Sequence, residues 1–65
     1  MDKIKDIKEG YAIIMMRKYN RSLRNTPVER YVSNKEEAIY NAQALFIADA
    51  ISYGVYDCKN QRLIY

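Results

Sequence analysis

The sequence predicts a small α+β domain of order ββαββ, one antiparallel sheet covered by one long helix. Three observations carry that expectation. A breaker-free run of aromatic, Ile and Met residues follows Gly10, as a strand does. A Ser-x-x-Glu box at Ser33 and Glu36 opens a long stretch free of Gly and Pro, as a helix does. Two short runs rich in Val, Tyr, Leu and Ile then close the chain around Lys59-Asn60-Gln61. Sixty-five residues allow one domain. It is expected over 11–65, after a short arm or helical turn over 1–10. A chain of this length buries only about 60% of its unfolded surface, so its core is marginal alone.

The elements follow in order. Ile4 and Ile7 stand three apart in an otherwise charged arm, the spacing of one helical turn. Tyr11 to Tyr19 reads as the first strand. Tyr11, Ile13, Met15, Arg17 and Tyr19 share one face, and Ala12, Ile14, Met16 and Lys18 the other. Both faces are apolar up to Met16, so the strand requires cover on both. Asn20 to Pro27 is a polar connection whose Asn and Pro residues suit turns. Val28 to Val32 is the second strand, paired with the first as a long-loop hairpin. It places Val28, Arg30 and Val32 on one face and Glu29 and Tyr31 on the other. Ser33 is expected to cap the helix, with Glu36 returning a bond. The helix runs to about Ser52, with Gly54 as its stop. Val55 to Cys58 and Arg62 to Tyr65 are the last two strands, with Asn60 in the left-handed position of their turn.

At 100° per residue the helix carries two apolar stripes. Ala38, Ile39, Ala42, Leu45 and Phe46 form one. Tyr40, Ala44, Ile47 and Ile51 form the other, at the +4, +3, +4 spacing of a packing seam. The second stripe has to meet the N-terminal arm, a second copy of the chain or another protein. Self-association is the preferred expectation, because a small chain gains much from a second buried surface and C2 dimers are the commonest solution.

The charge is uneven. The chain carries 11 Lys and Arg against 8 Asp and Glu, a net +3. Within Arg17–Arg30 stand Arg17, Lys18, Arg21, Arg24 and Arg30, opposed only by Glu29. Tyr19 and Tyr31 flank the basic loop within it. Arg suits bidentate phosphate or carboxylate contacts, and Tyr beside Arg can stack on bases. Residues 17–30 are therefore a candidate anion- or partner-binding segment, with solvated charge as the simpler reading.

Several chemistries are excluded or disfavoured. With no His there is no imidazole base and no His metal ligand. With Cys58 the sole cysteine there is no internal disulfide. A buried, inert thiol is the expectation for Cys58. Asp49, beside Ala42 and Leu45, is expected to pair with a basic group rather than serve as an acid or base. Asp49 and Asp57 together make a weak metal signal. Gly10 and Gly54 are the sole glycines, so no phosphate loop exists. No enzyme activity, cofactor or metal is expected. Met1 to Glu9 lacks an apolar signal core, and the longest apolar run, Tyr11 to Met16, falls far short of the ~20 residues of a membrane span. The expected location is the cytoplasm, without membrane contact.

The strand, strand, Ser33-x-x-Glu36-Glu37-Ala38-x-x-x-Ala42 helix and terminal hairpin of Val55-Tyr56-Asp57 and Leu63-Ile64-Tyr65 resemble short uncharacterised ββαβ(β) proteins of bacteria and phages. The resemblance implies an inhibitor or modulator of host machinery, in the host cytoplasm if phage-encoded. The functional expectation is a small non-enzymatic protein-binding or regulatory module, dimeric. The alternative is a nucleic-acid or nucleotide binder using residues 17–30.

Overall fold

The continuous apolar run after Gly10 becomes the central strand, where a two-faced apolar segment belongs. In a computed structural model describing residues 3–19 and 26–65, β1 spans Tyr11–Met15, β2 Arg30–Val32, α1 Lys35–Asp49, β3 Tyr53–Asp57 and β4 Arg62–Leu63. The strands form one four-stranded antiparallel sheet ordered β2-β1-β3-β4. Strands β2 and β3 both run against β1, so they are parallel to each other and α1 is their crossover, the long connection that parallel strands require. The expected α+β class and element order are those observed.

Register divides the core into two layers. Ile13 pairs with Val55, and Met15 with Tyr53. Ile13, Tyr53 and Val55 face α1, where they meet the buried Ala38 and Ala42. Two alanines on the contact line let the helix lie close to the sheet. Ala12, Ile14 and Tyr56 point to the far face, which the arm covers with Ile4 and Ile7. A 3-10 turn at Ile4–Asp6 forms the arm, and Ile4 donates its N–H to the Thr26 carbonyl at 3.1 Å. The arm therefore lies under the sheet and does not reach the outer stripe of α1. The second apolar face of β1 is satisfied within one chain.

Several boundaries differ from expectation, each for a physical reason. The first strand stops at Met15, not Tyr19, because its ladder ends where Met16 donates its N–H to the Ser52 carbonyl. Met16–Lys18 then form a 3-10 turn that exposes Arg17 and Lys18 and folds Tyr19 onto the far-face cluster. Strand β2 starts at Arg30 rather than Val28, since the chain bends at Glu29. The bend breaks the alternation, so Val28 joins the far-face layer while Val32 packs on the helix side.

Asn34, not Ser33, caps α1: its side-chain oxygen accepts the Glu37 N–H at 3.1 Å. The helix ends at Asp49, and Ala50 takes the left-handed conformation (φ 56°) while donating its N–H to the Phe46 carbonyl. Gly54 is not the stop signal. It lies inside β3 opposite Ile14, and a Cβ there would stand 2.5 Å from the Met16 sulfur. In the last turn Gln61, not Asn60, has positive φ (56°). Asn60 is engaged otherwise, its side-chain amide donating to Asp57 Oδ2 at 2.8 Å.

Candidate functional site

Helix α1 has no charged residue from Ala38 to Ala48, about three turns. One side of that stretch is spent on the sheet. The other side leaves Tyr40 70% and Ile47 82% exposed, with Ala44 and Ala48 exposed beside them. Ile51 departs from the expected seam. It follows the left-handed Ala50, outside the helix, and packs half-buried against the helix-side core. Phe46, grouped by its spacing with Ala38 and Ala42, is 53% exposed at the edge of that stripe.

Phe46 and Ile47 form one wall of a groove of about 470 Å³ beside the end of α1. Ala42 and Gln43 extend that wall, and Ser52, Tyr53 and Tyr65 complete the groove. Tyr53 is fixed within it, its hydroxyl donating to Asp49 Oδ2 at 3.0 Å. Burial above all, then that hydrogen bond and the neighbouring carboxylate charge, pushes the Tyr53 phenol up from its usual range. Asp49 thus has a phenol as its partner rather than the basic group expected. Sequence reasoning missed Phe46 and Tyr65 as members of the surface. The uncharged run through α1 was the available signal.

Among the described residues the basic candidates stand on separate elements. Arg17 and Lys18 lie on the exposed 3-10 turn rather than on a strand. Arg30 reaches across to α1, donating from Nη1 to Asn41 Oδ1 at 2.8 Å, while Asn41 donates to the Glu37 carbonyl at 2.7 Å. Tyr31 is half-exposed against Gly10, and Tyr19 belongs to the far-face layer. Arg21 and Arg24, with the rest of the polar connection at 20–25, lie outside the described residues. Among the described residues Arg30 is thus tied to the helix, while Arg17 and Lys18 stand on the turn after β1.

Cys58 is buried, and its thiol lies 3.8 Å from the Tyr56 carbonyl. Burial, reinforced by the Asp57 charge, pushes that thiol up, the opposite of activation. Asp57, itself buried, accepts the N–H groups of Lys59 and Asn60 and so shapes the β3–β4 turn. Among the described residues no group of three His, Cys, Asp or Glu is arranged to hold a metal ion, and no helix is long and apolar enough to cross a membrane. No family model, curated protein or solved structure matches this chain.

Proposed function

We propose that this chain is a small non-enzymatic protein-binding module whose working surface is the outward face of α1 with the groove beside it. The observation that carries the reading is the exposure of Tyr40, Phe46 and Ile47 on the uncharged stretch Ala38–Ala48 of α1, although the chain covers both faces of its own sheet. Exposed apolar patches of this kind mark interaction sites on small proteins. Aromatic residues are enriched in interface cores and charges are depleted there. Each large apolar side chain buried by a partner supplies about 1.5–3 kcal/mol. The elevated thiol of Cys58 and the turn-forming role of Asp57 accord with a binding rather than a chemical role. A regulatory role, including inhibition of a host protein by covering its surface, fits the same face.

Photo-crosslinking in the producing cell tests the reading. p-Benzoylphenylalanine at position 47 is expected to give protein adducts. The same probe at position 59, on the exposed β3–β4 turn, is expected to give none. Equal yields at the two positions would remove α1 as the working surface. An oligonucleotide that binds with steep salt dependence and protects residues 17–18 would instead favour the basic segment.

A further inference from the structure

We infer that the occupant of the α1 face is a second copy of this chain, packed across a two-fold axis with the two helices antiparallel. The inference rests on the docking role of α1 and names its partner. An isologous interface must be complementary to itself. Tyr40, Ala44 and Ile47 meet that requirement, since they lie on one helix face as bulky, small, bulky at +4 and +3. An antiparallel copy sets Ile47 over the partner's Ala44, and the two-fold axis repeats that contact. Ala44 offers only a methyl group there, so the axes can approach to about 8–10 Å. Tyr40 is then carried towards the end of the partner helix, where the groove beside Phe46 and Tyr65 opens.

The exposed area is of the right size. Tyr40, Phe46, Ile47 and Tyr65 are 70%, 53%, 82% and 47% exposed. With about 200 Å² for each large side chain, they present about 500 Å² per chain. Two copies bring together about 1,000 Å², the floor for a specific interface, before the alanines and polar rim are counted. The core of the contact carries no charge on either side, since the uncharged run Ala38–Ala48 covers it. The net +3 of each chain is carried by other parts of the sequence.

Sedimentation equilibrium over a range of concentrations reads the association. The wild type is expected to reach twice its 7.7 kDa chain mass. Ile47→Glu should weaken the dimer at least tenfold and keep the wild-type circular dichroism, because the side chain it replaces is already mostly exposed. Ala44→Arg, which blocks the close approach from a second position, should do the same. Lys59→Glu, on the distant turn, should dimerise as the wild type does. A wild type that stays at 7.7 kDa into the hundreds of micromolar overturns the inference. Adducts at position 47 separate it from the docking reading. A mass of two chains supports the second copy. A different mass overturns the second copy and leaves the docking face standing, and no adduct overturns both.

Discussion

Tyr31 lays its ring in the space that a Cβ on Gly10 would occupy. The phenol oxygen and two ring carbons are the nearest atoms, and Gly10 itself has φ 80°. The glycine thus serves two purposes, turning the chain into β1 and admitting the edge-strand tyrosine. Gly10→Ala should cost about 1–2 kcal/mol from the left-handed backbone alone, with a further loss from moving the ring. Tyr31 is half-exposed and its ring can be displaced. In a double-mutant cycle Tyr31→Ala should therefore recover the steric part, as a coupling of about 0.5 kcal/mol or more. Zero coupling in urea melts would show that the ring does not hold this position.

Removing the Asn34 side chain should destabilise the protein by about 1 kcal/mol, a fall of about 4–8 °C in melting midpoint for a domain of this size. Asn34 accepts the Glu37 N–H, so Asn34→Ala leaves that donor without its protein partner. Ser33→Ala should stay within about 0.5 kcal/mol of wild type, as surface substitutions do. The reverse ranking in thermal melts would restore Ser33 as the cap.

At the other end of α1, Ala50 holds φ 56°, a conformation that glycine adopts without a Cβ penalty. Ala50→Gly should raise stability by about 0.5–1 kcal/mol, because relief of left-handed strain outweighs the added freedom of the unfolded chain. A lower midpoint would mean that Ala50 is not strained in the folded protein.

These positions show what was legible in the sequence and what was not. The class, the element order and the centrality of β1 follow from periodicity and from apolar residues on both sides of one strand. Boundaries were less legible, because they depend on where a ladder partner runs out. Met16 ends its strand where the α1–β3 connection begins, and no feature of Tyr11–Tyr19 encodes that. Ser33 and Asn34 are both good capping residues, and only the backbone path after β2 decides between them. The outward stripe was readable at Tyr40, Ala44 and Ile47. It failed at Ile51 because the left-handed Ala50 ends the helix first, and no glycine marks the place. The groove required Tyr65, far from α1 in sequence, to be brought beside Phe46 by the sheet.

Thr26 is fully buried, and among the described residues its hydroxyl has no hydrogen-bond partner. An unsatisfied buried hydroxyl costs about 1–3 kcal/mol, whereas valine has nearly the same shape and no such cost. Thr26→Val should accordingly stabilise the protein by about 1 kcal/mol, read as a higher urea midpoint with an unchanged slope. The Thr26 carbonyl still accepts from Ile4, so the arm should stay in place. A loss of stability would show that the hydroxyl is bonded in solution.

Asp57 makes the fold sensitive to acid. Its carboxyl is held below its usual value of 3.8, first by the side-chain amide of Asn60, then by the Asn60 and Lys59 N–H groups and the Arg62 charge, with burial opposing them. A carboxylate whose native pKa lies below its unfolded value stabilises the fold at every pH above the unfolded value. That contribution is lost as pH falls through the native pKa. The wild type should therefore keep the Asp57 contribution down to 3.8 and lose it below that. Asp57→Asn keeps one oxygen for the Lys59 and Asn60 N–H groups, which share Oδ1, but has no second oxygen to accept from Asn60 Nδ2, so it should be less stable than wild type at neutral pH. The remaining carboxylates titrate in both proteins and cancel in the difference. The stability gap, measured by urea melts from about pH 7 to about pH 2, should be flat at first and narrow only in the acid range. A gap that stays constant throughout would mean that the Asp57 carboxyl titrates alike in the folded and unfolded chains. The β3–β4 turn would then owe its shape to the backbone conformation at Gln61 and not to the Asp57 charge.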